Sequence, residues 1–281
     1  MKMKSTQLLL ALLLAGASAA YPQRPAGGAS TTDLARVAKE VFGVEIAPKP
    51  VTETDENLLA LRTGNFTVAE RTDSRTYFVR NRAYGPLSED GVFNGSDDEL
   101  QKTAARILTG VGIDPKELAR AKVLTVQQGG GGFNPATGEA KADAWESKQR
   151  VLVAGRQVGG VPIFSSRLSL ALTAKGGIGR LKLHWPEIPA AVLEEAKRYQ
   201  EVVRAGFKPP AAPEAVVSVT AGVLHSSPRS RVLDMMAAIR VEYAAPAVGK
   251  ARVVYLSSNG QPLRARHDDH PAPPRQHKPQ G

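Results

Sequence analysis

One stretch of the chain, Gln149 to Trp185 (QRVLVAGRQVGGVPIFSSRLSLALTAKGGIGRLKLHW), limits the fold more than any other. Leu168, Leu170 and Leu172 alternate with Arg167, Ser169, Ala171 and Thr173, and Leu181, Leu183 and Trp185 alternate with Arg180, Lys182 and His184. Successive side chains of a strand point to opposite sides, so a period of two gives each run one apolar and one polar face. Lys175-Gly176-Gly177 between the runs offers the positive-φ positions of a tight hairpin. The segment therefore reads as an antiparallel meander with one face to bury.

The nearest cover for that face lies upstream. Ser96-Asp97-Asp98-Glu99 is a capping box, in which a hydroxyl and a carboxylate satisfy free N–H groups at a helix start. Leu100, Ala104, Ile107 and Leu108 then repeat at three and four residues until Gly110 and Gly112 end the helix. Before it, a short helix from Asp33 to about Phe42 and a β-hairpin within 57–84 are predicted. After it come a strand over 122–128, a glycine-rich loop over 129–143, the meander, and a helix from Pro189 to Gly206. Lys208-Pro209-Pro210-Ala211-Ala212-Pro213 reads as a stiff linker, with strands predicted near 216–224, 235–243 and 251–256 beyond it. The expected class is α+β: a helix packed on an antiparallel sheet, with a second small antiparallel sheet after the proline-rich linker. The expected organisation is a signal peptide at 1–20, a helix and hairpin region at 21–95, an α+β domain at 96–207, a β region at 214–266 and a disordered tail at 267–281.

The N-terminus sets the compartment. Lys2 and Lys4 precede the apolar run Leu8 to Leu14, and Ala17-Ser18-Ala19 forms an A-x-A site with Ala20 as a second boundary. That run is too short for a bilayer, which takes about 20 residues, so a cleaved signal peptide and a secreted or periplasmic protein are expected. The chain has no cysteine, which removes disulfides, thiol catalysis and thiolate metal sites and fits a large bacterial exported protein. Residues 21–100 hold 9 Lys/Arg against 13 Asp/Glu, whereas residues 101–281 hold 26 against 14. Such a basic remainder suits an anionic partner or a solvated surface, but no helix carries the basic, aromatic-interleaved stripe of a nucleic-acid binder.

Val158, Gly160, Val161, Pro162, Ile163, Phe164, Leu168, Leu170, Leu172, Gly177 and Ile178 follow a recognisable order of hydrophobes and glycines. Residues 96–185 thereby resemble PepSY and the related FTP segments in propeptides of thermolysin-type and fungalysin-type metallopeptidases. The resemblance implies a cystatin-like sheet that associates with polypeptides and carries no catalytic residues. The long glycine-rich loop and the lack of a following peptidase domain depart from it.

Arg167, Arg180, Lys182 and His184 lie on the polar side of the meander and are the expected partner-binding residues, with an exported or envelope polypeptide as partner. His184 reads as a solvated surface histidine. His225-Ser226-Ser227 with Asp234 nominally offers Ser, His and Asp, but no Gly-x-Ser-x-Gly elbow surrounds them and the set reads as chance composition. His267-Asp268-Asp269-His270 and His277 lie in the tail, where nothing fixes a coordination geometry. No catalytic, cofactor-binding or metal-ligating residue is assigned, and a non-enzymatic binding protein is expected. A hydrolase using Asp97/Asp98/Glu99 or Glu194/Glu195, and an envelope structural protein, are the alternatives.

Overall fold

The computed structural model describes residues 30–47, 57–84, 93–128, 131–134, 136–142, 146–226, 234–244 and 252–263. The expected signal peptide at 1–20 and the expected disordered tail at 267–281 lie outside them.

Helix α1 (Thr31–Glu40) starts on a capping box in which the Ser30 hydroxyl accepts the Asp33 N–H at 3.1 Å. It leads to a meander of β1 (Leu58–Arg62), β2 (Phe66–Arg71) and β3 (Thr76–Asn81). Helix α2 (Asp97–Gly110) carries the predicted Ser96/Glu99 box and buries Leu100, Ala104, Ile107 and Leu108. Strand β4 (Leu118–Gln128) precedes a short hairpin of β5 (Gly131–Asn134) and β6 (Glu139–Ala142), which stands where a plain loop was predicted. Strands β7 (Glu146–Val158), β8 (Val161–Leu172) and β9 (Ile178–His184) form the predicted meander. Gly159 (φ +53°) and Gly160 (φ +81°) make the two-residue turn between β7 and β8, a conformation that other L-residues adopt with strain. Helix α3 (Ala190–Arg204) and strands β10 (Val216–His225), β11 (Met235–Tyr243) and β12 (Arg252–Leu256) complete the described chain.

The expected architecture of one helix on an antiparallel sheet, with a second small sheet after the linker, is wrong. Ten strands form a single mixed sheet, and among the described residues three α-helices pack on it. Two joints build it. Strand β3 pairs antiparallel with β9, from Thr76–His184 to Arg80–Arg180, which fuses the N-terminal meander to the central one. Strand β10 pairs parallel with β8 at Val223–Ile163, which carries β10, β11 and β12 onto the same sheet. The proline-rich segment does not hold the last strands apart. Phe207 and Ala212 pack against the core of that end, and the Tyr243 hydroxyl donates to the Pro210 carbonyl at 3.3 Å.

Strand β8 organises the joint. Its pairs with β7 step from Ala154–Leu168 to Arg156–Ile163, so Phe164–Arg167 stand against Gly155 alone. Burial alternates without interruption along β7, with Leu152, Ala154 and Arg156 inward. In β8 the buried set therefore changes parity, from Val161 and Ile163 to Leu168, Leu170 and Leu172. An odd surplus of residues in the bulge keeps both halves of β8 apolar on one side, where a register slip would have turned one half over. Helices α1 and α2 cover the Leu168–Leu172 half and the β9 leucines, and α3 covers Val161, Ile163 and Val223.

Close approach at the second joint requires glycine. A Cβ on Gly222 of β10 would lie 2.3 Å from the Pro162 carbonyl oxygen and 2.9 Å from the Phe164 ring. Replacing Gly222 by Ala is expected to cost about 1–3 kcal/mol by overpacking, read as a lower denaturant midpoint with little change in the slope.

Candidate functional site

Residues opposite one another in a sheet share a face, so the cross-strand register lists what the side away from the helices presents. One row runs Arg62, Thr67, Arg80, Arg180, Ala171, Val151 and Leu124, from β1 to β4. The next holds Phe78, Lys182, Ser169, Val153 and Lys122. A third holds Arg71, Thr76, His184 and Arg167. The leucines at 168, 170, 172, 181 and 183 are all buried on the other side, as the alternation requires.

The first two rows make an open basic surface. Arg62, Arg80, Arg82, Arg180 and Lys182 surround a shallow depression of about 410 Å³ floored by Phe78. Arg62, Arg80, Arg82, Arg167 and Arg180 are exposed, and Arg80, Arg82, Arg167 and Arg180 have no ion-pair partner among the described residues. Toward β4 the surface becomes apolar, with Leu124 and Val126 each 45% exposed beside Val151 and Val153. A second depression of about 250 Å³ lies there, bounded by Arg167 and Arg180. On its outer side β4 has no strand neighbour among the described residues. Arg167, Arg180 and Lys182 thus sit on one surface, as the alternation predicts. Arg62, Arg80 and Arg82 were missed, because only the β3–β9 pairing brings them beside Arg180.

His184 departs from the sequence expectation. It belongs to the same face but is 1% exposed, with the His225 ring at the end of β10 lying against it. Its Nδ1 hydrogen-bonds with the Thr76 hydroxyl at 2.5 Å, and its ring lies edge-on to His225, centroids 4.8 Å apart. His225 is also 1% exposed. The His225 Nδ1 faces the Ser226 carbonyl at 2.8 Å, so that nitrogen carries the proton, and Nε2 accepts the Ser166 hydroxyl at 3.0 Å. The His184 Nε2 is buried without a hydrogen-bond partner. Burial, and then the His225 ring, lower the His184 pKa to about 3. Burial lowers that of His225 to about 4. Both imidazoles are neutral at pH 7. Unfolded histidine titrates near 6.5, so as pH falls below that value the folded state loses about 1.4 kcal/mol per pH unit for each ring, until the folded pKa is reached.

Beside the rings, Arg156 donates to Glu117 at 2.7 Å and to the Pro186 carbonyl, and the Trp185 indole N–H donates to the same Glu117 oxygen at 2.8 Å. Burial lowers the Arg156 pKa, and Glu117 opposes that shift. Asp234 gives its backbone N–H to the Ser226 hydroxyl, so its backbone, in this contact, meets the His225–Ser226 pair. The carboxylates of the hydrolase alternative lie elsewhere: Asp97 pairs with Arg150, Asp98 with Lys102 at 2.6 Å, Glu99 caps α2, and Glu194 pairs with Lys197 at 2.7 Å. Among the described residues no group of three or more His, Asp or Glu side chains could hold a metal ion, and no helix is long and apolar enough to cross a membrane.

No family model matches the chain, and no curated protein matches it. Among solved structures, an uncharacterized protein from Eubacterium rectale ATCC 33656 superposes with a TM-score of 0.47 at 12% identity, covering 84% of this chain and 81% of that one. The Bacillus megaterium YpeB C-terminal domain superposes with a TM-score of 0.37 at 11% identity, covering 84% of this chain and 96% of that one. Similarity at this level is distant and carries neither a site nor an activity to this chain.

Truncating Glu117 to Ala would leave the Arg156 charge buried without its acid. A loss of about 3 kcal/mol in unfolding free energy is expected, with Arg156→Met/Glu117→Leu costing much less in the same denaturant titration.

Proposed function

We propose that this is an exported, non-enzymatic binding protein that holds an acidic, extended polypeptide on the open face of its sheet. The observation that carries the reading is the group of arginines on one face, Arg80, Arg180 and Arg167, without ion-pair partners among the described residues and next to the exposed Leu124 and Val126. Carboxylates of a bound segment would lie on the guanidinium groups, and an apolar side chain would cover the β4 end. The outer side of β4, which has no strand neighbour among the described residues, would offer backbone groups for strand addition next to that surface. Charge of one sign without internal partners favours an oppositely charged ligand and quickens its encounter. The resemblance of residues 96–185 to PepSY and FTP propeptide segments supports a polypeptide partner and makes an exported peptidase, held or inhibited, the first class to try.

The test is fluorescence anisotropy with labelled polyglutamate, polylysine and polyphosphate, alongside capture from an exported protein fraction. Polyglutamate should bind, more weakly at higher salt. Arg80→Glu/Arg180→Glu should weaken it at least about tenfold, equivalent to about 1.4 kcal/mol. Leu124→Asp should reduce capture of a folded partner further. Equal binding of polyphosphate would favour an anionic envelope polymer instead, and an unchanged Kd in the double variant would sink the reading altogether.

A further inference from the structure

We infer that the meeting of β9 and β10 on β8, closed by the His184–His225 pair, is an acid-opened seam that releases α3 and β10–β12 from the rest of the sheet. Strand β7 occupies one side of β8 along both halves, so β9 and β10 share the other. Strand β9 runs antiparallel and ends at Arg167, while β10 runs parallel and ends beside the bulge, so their C-terminal ends converge there. His184 is the last residue of β9 and His225 the last of β10. Their rings touch across the junction, and the Ser166 hydroxyl of the bulge holds His225.

This junction is the least-paired line in the sheet. Strand β10 meets β8 in register at Val223–Ile163 alone, whereas its pairing with β11 runs from Val216–Tyr243 to His225–Met235. Beyond that pair the seam is held by the apolar cluster around Val161, Ile163, Val223, Ala196 and Ala237, by the Phe164 and Tyr255 rings with centroids 5.6 Å apart, and by the Gln200 amide donating to the Gly160 carbonyl at 3.2 Å. Those contacts do not change with acid; the rings do.

The groups around the rings set the direction. Thr76 and Ser74 supply hydroxyls, and Ser166 and Ser226 supply a hydroxyl and a carbonyl. The charged neighbours are Lys182 on β9, Arg167 opposite His184 on β8, Arg156 on β7 and Arg75 beside Trp185. Two acids are near: Glu117 is bound to Arg156 and Trp185, and Glu187 pairs with Arg75 at 3.7 Å. The Asp234 backbone N–H reaches Ser226. Protonation therefore places two cations in contact, among further cations, with the nearest carboxylate already engaged. Opening hydrates both rings and restores their ordinary affinity for protons, so acid favours the open form. With folded values of about 3 and 4 against 6.5 when open, the opening equilibrium should rise on the order of 10³-fold between pH 7 and about pH 4.5.

Hydrogen exchange of the full chain, expressed as protection factors so that intrinsic pH effects cancel, tests this. At about pH 4.5, amides of 161–164 and 221–225 should lose protection on the order of 10³-fold and exchange faster than those of β2, β3 and the first half of β9, which the seam opening leaves paired. His184→Gln/His225→Gln should remove that selective loss. Because the double variant could fold poorly, the imidazole resonances of the unmodified protein are titrated as well. Seam amides that stay as protected at about pH 4.5 as those of β2 and β3, or folded-state titration of both rings near 6.5, overturn the inference.

Discussion

A strand can satisfy its backbone donors and acceptors along two edges, and β8 serves three neighbours by dividing one edge between β9 and β10. The division works because Phe164–Arg167 bulge away from Gly155, which ends one pairing, begins the other, and keeps a single apolar side throughout. Every helix then finds its cover on that side. The opposite side is left to polar and basic residues over most of the central strands, and the candidate binding surface is the consequence of that one-sided coverage.

The same division explains why two histidines are buried in a region otherwise closed by hydroxyls and backbone. Two strand ends that meet head to head leave a gap in the sheet, and a gap needs side chains that fill volume and still bond to loose backbone and hydroxyl groups. Neutral imidazole does both: His225 spans from the Ser226 carbonyl to the Ser166 hydroxyl, and His184 reaches Thr76. The cost is that both rings resist protonation in place. Arg156, Glu117 and Trp185 solve the neighbouring problem differently, with a charge and its counter-charge brought in together and the indole N–H on the same carboxylate.

Much of this was legible in the residues. The alternation over 168–172 and 181–185 placed the leucines inward and Arg167, Arg180 and Lys182 on one surface, and the Ser96/Glu99 box placed α2. His184 obeyed the alternation too, yet it is buried, because periodicity assigns a face and says nothing of what lies on it. His225 and Ser226 were set aside as chance neighbours for the same reason: their partners, His184 and Ser166, lie far away in sequence. The proline-rich segment suggested a boundary because proline stiffens a chain, but stiffness does not prevent the chain beyond it from pairing.

The sequence by itself determined the central strands, the helices, the Ser96/Glu99 cap and the sign of the charge on the open face, since these follow from local periodicity and from groups within a turn of one another. The tertiary structure alone decided that ten strands share one sheet, that Arg62, Arg80 and Arg82 stand beside Arg180, and that two distant histidines touch. Which strand edges meet is fixed by the closing of backbone hydrogen bonds between segments remote in the chain, and no local pattern encodes that choice.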